Sequence, residues 1–280
     1  MFTLRCLVDN NSSDFTRYQT EHGLALAIET SSGQILFDTG QSGEVLLHNA
    51  AVSGFDLRKV DALILSHAHY DHTGGLDAVL PISRSDLPLY AHPDLFCKRY
   101  AIKDGQLCSI GLHMAQSDLA KHTVLNLSAE PVQVLPGVWT TGEITIRTEF
   151  EGRSAHHYIQ GESGWQPDPY KDDLALVLEM NRGLILVCGC CHAGLLNTLT
   201  HVRRIFNNKE IIAIVGGTHL SSLDKNSLER AINLLRATSA GDVPHLFLNH
   251  CTGEGALVAL THAFGEKVRS CPAGTLLRFE

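Results

Sequence analysis

The sequence predicts an α/β protein, and three observations point there. Five short apolar runs each end in an aspartate or a histidine. Amphipathic helical stretches separate several of them, and glycines and polar residues bound them as they bound buried strands.

In chain order, the stretch up to about Glu29 reads as paired strands. Gln34–Phe37 is the first run with a ligand at its tip, leading into Asp38-Thr39-Gly40. Ala62–Ser66 leads into His67, and Gly74-Gly75 permits a tight turn into a short helix over Leu76–Leu80. From about Pro81 to Gln133 the pattern is less regular and includes Cys97-Lys98-Arg99-Tyr100, which is expected to be an insertion or lid. Leu184–Cys188 then runs into Gly189-Cys190-Cys191-His192, Ile211–Val215 into Gly216-Gly217-Thr218-His219, and His245–Leu248 into Asn249-His250. Leu195–Phe206, Asp224–Ala237 and Gly255–Phe264 have helical spacing. In sheets covered by helices, ligand sites collect beyond the strand carboxyl ends, so these loops are expected to converge. With no linker and no internal repeat, residues 1–280 read as one domain.

The 280 residues are 44% hydrophobic and 19% charged, the balance of a globular chain with a sizeable core. A formal net charge of −8 argues against sequence-independent nucleic-acid binding, which needs a lysine and arginine footprint. No run of apolar residues is long enough to span a membrane, and the amino terminus lacks the features of a signal peptide. The eight cysteines do not form paired CxxC units and read as reduced thiols, so a cytoplasmic location is expected. Walker, GxSxG and GxGxxG patterns are missing from the sequence.

The chemistry concentrates in His67-Ala68-His69-Tyr70-Asp71-His72, four ligand-type side chains within six residues. Side chains two apart in extended chain project to one side, so His67 and His69 can share a metal. Asp71 and His72 follow on the turn and can face a neighbouring one. Nitrogen and carboxylate donors suit Zn²⁺ first, with Mn²⁺ or Fe²⁺ as alternatives, and one or two ions are expected. His192 and His250 close apolar strands and are further candidates, as is His219. Asp38 is expected to orient metal-bound histidines from behind. Cys188, Cys190 and Cys191 include a conceivable thiolate, but are read first as small buried residues at a tight strand exit. His48, His92, His113, His122, His156, His157, His201 and His262 have no such context.

With these residues placed, the sequence resembles the metallo-β-lactamase superfamily, through Asp38-Thr39-Gly40, Ser66-His67-Ala68-His69-Tyr70-Asp71-His72-Thr73-Gly74-Gly75 and the later strand-end histidines. It looks most like the branch related to the archaeal 7,8-dihydropterin-6-ylmethyl-4-(β-D-ribofuranosyl)aminobenzene 5′-phosphate synthase. Glu21-His22-Gly23-Leu24, Gly142-Glu143-Ile144, Gly189-Cys190-Cys191-His192-Ala193-Gly194, Gly217-Thr218-His219-Leu220 and His250-Cys251-Thr252-Gly253 carry that likeness. The resemblance implies a four-layer αββα sandwich with metals at one edge. It implies that His67, His69 and His192 hold one metal and that Asp71, His72 and His250 hold the other. Many relatives bridge both metals with an aspartate after the fourth motif strand. Here that exit offers Cys190, Cys191 and His192, and His192 fits either the bridging or the third-ligand place.

The expected activity is metal-dependent hydrolysis of an ester or phosphate-type bond in a small molecule, phosphate-bearing ones among the candidates, with Asp71 and His219 as catalytic candidates. A bound metal lowers the pKa of water to roughly 7, which makes it a nucleophile at neutral pH. Asp71 would orient that nucleophile, and His219 would polarise the substrate or contact its phosphate. Lys98, Arg99 and Lys103 are candidates for anion contact. The branch implies an alternative, a transferase joining a dihydropterin to a ribofuranosyl-aminobenzene phosphate with loss of pyrophosphate. A non-catalytic metal-binding or metal-sensing protein is the third reading. An oxygen-reducing di-iron role is disfavoured, because relatives of that kind carry glutamate at the place of His69. No nucleic-acid or membrane partner is expected, and the oligomeric state is open.

Overall fold

The computed structural model describes residues 1–161, 164–239 and 242–280. The chain divides into two compact units, one of residues 1–129, 154–172 and 272–280, the other of residues 130–153 and 173–271.

The first unit is built on a seven-stranded mixed sheet. Its order is Leu276–Phe279, Phe2–Val8, Ala25–Thr30, Gly33–Phe37, Ala62–Ile64, Leu87–Ala91 and Thr123–Leu127. The first four strands pair antiparallel, Ala25–Thr30 and Gly33–Phe37 as a local hairpin, and the remaining pairings are parallel. Parallel register sets Leu36 opposite Leu63 and Phe37 opposite Ile64, so Asp38 and the His67 loop leave the sheet at the same end. The helix Gly43–Ser53 packs on this sheet. The Ser42 side chain accepts the Val45 N–H at its start, and Gly54 ends it at φ 73°. Residues 81–133 hold two strands of this sheet and the hairpin Arg99–Lys103/Gln106–Ser109. That hairpin joins His157–Gly161 and Gly164–Pro167 in a four-stranded antiparallel sheet.

The second unit carries another seven-stranded sheet, ordered Val268–Ser270, His245–Leu248, Ile211–Gly216, Gly183–Cys188, Ala175–Met180, Val138–Thr140 and Gln133–Leu135. Its first four strands are parallel, with crossover helices Leu195–Ile205 and Lys225–Thr238. Asp224 caps the second of these by accepting the Ser227 N–H. Strand Gly183–Cys188 is buried along its whole length, which explains its unbroken apolar run. Each unit has its own core, one around Leu36, Leu63 and Leu89, the other around Leu186, Ile214 and Leu246. Among the described residues no helix is long and apolar enough to cross a membrane.

Candidate metal centre

In the first unit, the ends of two neighbouring parallel strands bring Asp38 against the His67 loop. The buried Asp38 carboxylate accepts the Ser66 backbone N–H at 2.7 Å on Oδ1. Its Oδ2 accepts the Ser66 hydroxyl at 2.6 Å and the His72 Nδ1–H at 2.7 Å. Because the Ser66 proton goes to Asp38, the Ser66 Oγ accepts from His67 Nδ1, 2.8 Å away. One carboxylate thereby fixes two imidazoles in the tautomer whose Nε2 carries a lone pair, the form that ligates metals. His67 Nε2 lies 3.0 Å from His69 Nδ1, close enough for both nitrogens to share one cation. Burial holds His69 well below the usual histidine pKa, so its imidazole is neutral and fit to ligate.

Asp71 and His72 lie on the single helical turn Tyr70–Thr73, with Asp71 Oδ2 3.7 Å from His72 Nε2. This turn sits directly on the Asp38-Thr39-Gly40 loop. A Cβ on Gly74 would lie 2.1 Å from the Gln41 carbonyl oxygen, and one on Gly75 2.2 Å from that of Thr39. Both glycines have ordinary helical dihedrals, so close approach, and not turn formation, requires them.

The loop is also held from outside. The Ala68 N–H donates to Asp172 Oδ2 at 2.8 Å. The other oxygen of Asp172 takes Arg99 at 2.7 Å, and Arg99 also pairs with Asp94 at 2.8 Å and Asp168 at 3.0 Å. Arg99 donates to the Asp94 and Cys97 carbonyls as well and is fully buried. The anion contact expected of Arg99 is thus made to the protein's own carboxylates. Lys98 and Lys103 are exposed, and Lys103 Nζ lies 5.6 Å from the centroid of the Tyr70 ring.

In the second unit, strand Gly183–Cys188 ends in a turn where Cys191 takes φ 61°. His192 Nδ1 donates to the Gly152 carbonyl at 2.8 Å, which puts the ring's lone pair on Nε2. Gly152 has φ 86°, and a Cβ there would lie 2.5 Å from the Cys191 carbonyl oxygen. Asp173 Oδ2 accepts the Ala193 N–H at 2.8 Å, so the residue after His192 is anchored as the residue after His67 is. The rings of His192 and His219 lie side by side with centroids 4.4 Å apart. His250 is buried at φ 49°, and it and Cys190 offer ligand atoms within 4.8 Å of each other.

Several neighbours of these candidate ligands were not assigned to the site from the sequence. His22 Nε2 is 3.2 Å from Asp71 Oδ2 and half-exposed. His157 meets the His69 ring edge-on, with centroids 5.1 Å apart, and its Nδ1 lies 3.0 Å from the Tyr170 hydroxyl. Burial pushes the His157 pKa down to about 4. The histidine-glycine pair at 22–23 and the consecutive acids at 172–173 just before a buried strand were the available signals. For His157 there was none. His48, His92, His113 and His201 make hydrogen bonds to Arg17, Asp94, Asp77 and Thr141 in turn.

Residues 20–97 match the profile of the metallo-β-lactamase superfamily. Over 271 residues the chain is 30% identical to 7,8-dihydropterin-6-methyl-4-(β-D-ribofuranosyl)-aminobenzene-5′-phosphate synthase of Methanocaldococcus jannaschii, covering 94% of this chain and 91% of that protein. Among solved structures, Tm1679, a metal-dependent hydrolase of the β-lactamase superfamily, aligns with a TM-score of 0.83 at 24% identity, covering 100% of this chain and 99% of that one. Zinc-bound PqqB from Methylobacterium extorquens aligns with a TM-score of 0.52 at 12% identity, covering 99% and 100%.

Proposed function

The chain belongs to the metallo-β-lactamase superfamily, whose α/β fold it has, and from this premise we propose that it is a metal-dependent hydrolase of a small molecule carrying an ester or phosphate-type bond. His67, His69 and His192 hold one divalent metal in this reading, and Asp71, His72 and His250 hold a second. The observation that carries it is the Asp38 carboxylate, which presents Nε2 of both His67 and His72 for ligation. A donor set of neutral imidazoles and one carboxylate fits zinc, the ion that PqqB holds. When bound, such a metal acidifies water and polarises a phosphoryl or carbonyl oxygen.

The chain's own residues do the rest. Asp71, whose Oδ2 touches both His22 and His72, orients the nucleophile and offers a path for its proton toward the half-exposed His22. His219, whose ring lies tilted beside that of His192, contacts the substrate oxygen that gains charge. Lys103 supplies a cation near the Tyr70 turn for a phosphate-bearing substrate.

The 30% identity to the archaeal synthase favours a second reading, a transferase that couples a dihydropterin to a ribofuranosyl-aminobenzene phosphate. Product analysis separates the two. Metal-loaded protein is incubated with a panel of phosphoesters, lactones and thioesters, and separately with a dihydropterin donor and the aminobenzene riboside phosphate. Water-only cleavage supports the hydrolase. A coupled pterin product replaces it with the transferase, and inertness toward both sets leaves a metal-binding or metal-sensing protein.

A further inference from the structure

Two side chains on one face of the four-stranded sheet reach consecutive residues of the His67 loop. His157 stands opposite Ala101 in antiparallel register, and Lys103 follows Ala101 by two, so both project from the same face. The His157 ring meets that of His69 with centroids 5.1 Å apart, and Lys103 Nζ lies 5.6 Å from the Tyr70 centroid. An imidazole and an ammonium are thereby set against adjacent residues of the candidate metal centre, although His157 belongs to neither group of candidate ligands among the described residues. Tyr170 holds the imidazole. Its hydroxyl lies 3.0 Å from His157 Nδ1 and accepts the Ser154 N–H at 3.1 Å. Having taken one proton from Ser154, the hydroxyl can give its own to Nδ1, which puts the ring's proton on Nε2. Tyr170 is buried at φ 48°, a strained backbone for a bulky residue. Asp168 enforces it: Oδ1 accepts the Tyr170 N–H at 2.7 Å, and Oδ2 pairs with the buried Arg99 at 3.0 Å. Enforced strain of this kind collects at functional sites, and here it ends in the placement of one histidine.

We propose that His157 is a substrate-contacting residue, its Nε2–H donating to a phosphoryl oxygen while Lys103 neutralises the same group. Tyr170 is its positioning residue. This inference rests on the metal-dependent reading above and narrows its substrate class to molecules that carry a phosphoryl group. A neutral ester or lactone offers Lys103 no charge to meet. A phosphate monoester carries roughly −1.5 to −2 charges at neutral pH on three acceptor oxygens, enough to engage both side chains at once. Hydrogen bonds to such charged oxygens are about twice as strong as neutral ones.

Equilibrium binding tests this without turnover. Zinc-loaded protein is titrated calorimetrically with inorganic phosphate and with phenylphosphonate, which carries the phosphoryl group on a bond that water does not cleave. His157→Ala and Lys103→Ala are each expected to raise both Kd values about 10-fold, with zinc content and circular dichroism unchanged. His157→Gln keeps an N–H near the place of Nε2 and should recover part of the loss. Tyr170→Phe keeps the ring and removes the hydroxyl. Nitrogen-15 NMR is expected to show His157 protonated at Nε2 in the wild type and a mixture of both tautomers in that variant, a change that a merely structural tyrosine would not produce. Kd values unchanged in either alanine variant overturn the assignment, as does a wild-type His157 protonated at Nδ1. So does a wild type that binds neither probe, or a loss confined to inorganic phosphate, which would mark a site for the free ion. Less than one zinc per chain in the wild type brings down the metal-dependent reading, and the comparison of Kd values still decides the role of His157.

Discussion

Asp38, Cys191, His219 and His250 hold φ of 60°, 61°, 48° and 49°, although none is glycine. Such backbone costs of order 1–3 kcal/mol per residue and persists where the surroundings over-determine it. All four stand at strand exits that carry candidate ligands, and for Asp38 the compensation is visible in three hydrogen bonds to its carboxylate. The same bonds make a sharp prediction. In Asp38→Asn one oxygen still accepts the Ser66 N–H, but an amide NH2 then faces His72 Nδ1. The imidazole must move its proton to Nε2, where it blocks ligation. Metal affinity is expected to fall about 10–100-fold, the usual effect of losing a partner behind a ligand. Chelator competition measures it, and circular dichroism should remain that of the wild type. Unchanged affinity would mean that Asp38 does not set the His72 tautomer. At Gly152, a Cβ would need both a positive φ and a 2.5 Å approach to a carbonyl oxygen. Gly152→Ala is therefore expected to destabilise by roughly 1–3 kcal/mol in urea unfolding.

Arg99 acts on whole elements. It joins the loop of Asp94, the first strand of the hairpin and the Asp168–Asp172 segment, and through Asp172 it reaches the Ala68 N–H between His67 and His69. Burial disfavours its charge and three carboxylates restore it. Arg99→Met leaves those carboxylates without their counter-charge, and about 3–5 kcal/mol of stability is expected to be lost. A smaller loss in urea unfolding, below 1 kcal/mol, would show water reaching the site and screening it. Helix Leu195–Ile205 carries a pH-sensitive contact of another kind. Burial holds the His201 pKa below the usual histidine range, although its Nε2 faces the Thr141 carbonyl at 3.0 Å. Its folded pKa is depressed, so the unfolded chain binds the proton more readily. This contribution is present above about pH 6.5 and is lost as pH falls toward the folded value. His201→Gln keeps a donor for Thr141 and removes the titration, so its stability should fall less steeply between pH 7 and 5 than the wild type's. Equal slopes would remove His201 from the acid response.

Across the whole molecule, legibility followed locality. The helix at Lys225–Thr238 matched the sequence within a residue at each end, because its Asp224 cap and its periodicity are local signals. Ile211–Gly216 was legible because an apolar run bounded by glycine is what a strand buried on both faces requires. Leu87–Ala91 was harder to see, since it carries Pro88 inside a sheet, and Thr123–Leu127 lies at an edge with only Thr123 buried. The ligand-type residues were visible one by one. Arg99 with its carboxylates, His22 on Asp71 and His157 on His69 were not, because those contacts join stretches far apart in sequence.

That same distance predicts how metal and stability are linked. The proposed ligands run from His67 to His250, so only the folded chain can present them together, and an ion they share stabilises the native state alone. At a free zinc concentration one hundred times its Kd, the gain over chelated protein is expected to be about 2.7 kcal/mol. Weak binding of zinc by unfolded cysteines and histidines will lower it. His250→Ala removes a ligand of the second set only, so the metal content per chain should drop while part of the gain survives through His67, His69 and His192. Thermal unfolding with and without chelator, alongside elemental analysis, reads both quantities. An unfolding midpoint that ignores the chelator in the wild type would show that the ligands do not hold a metal jointly, whatever each does alone.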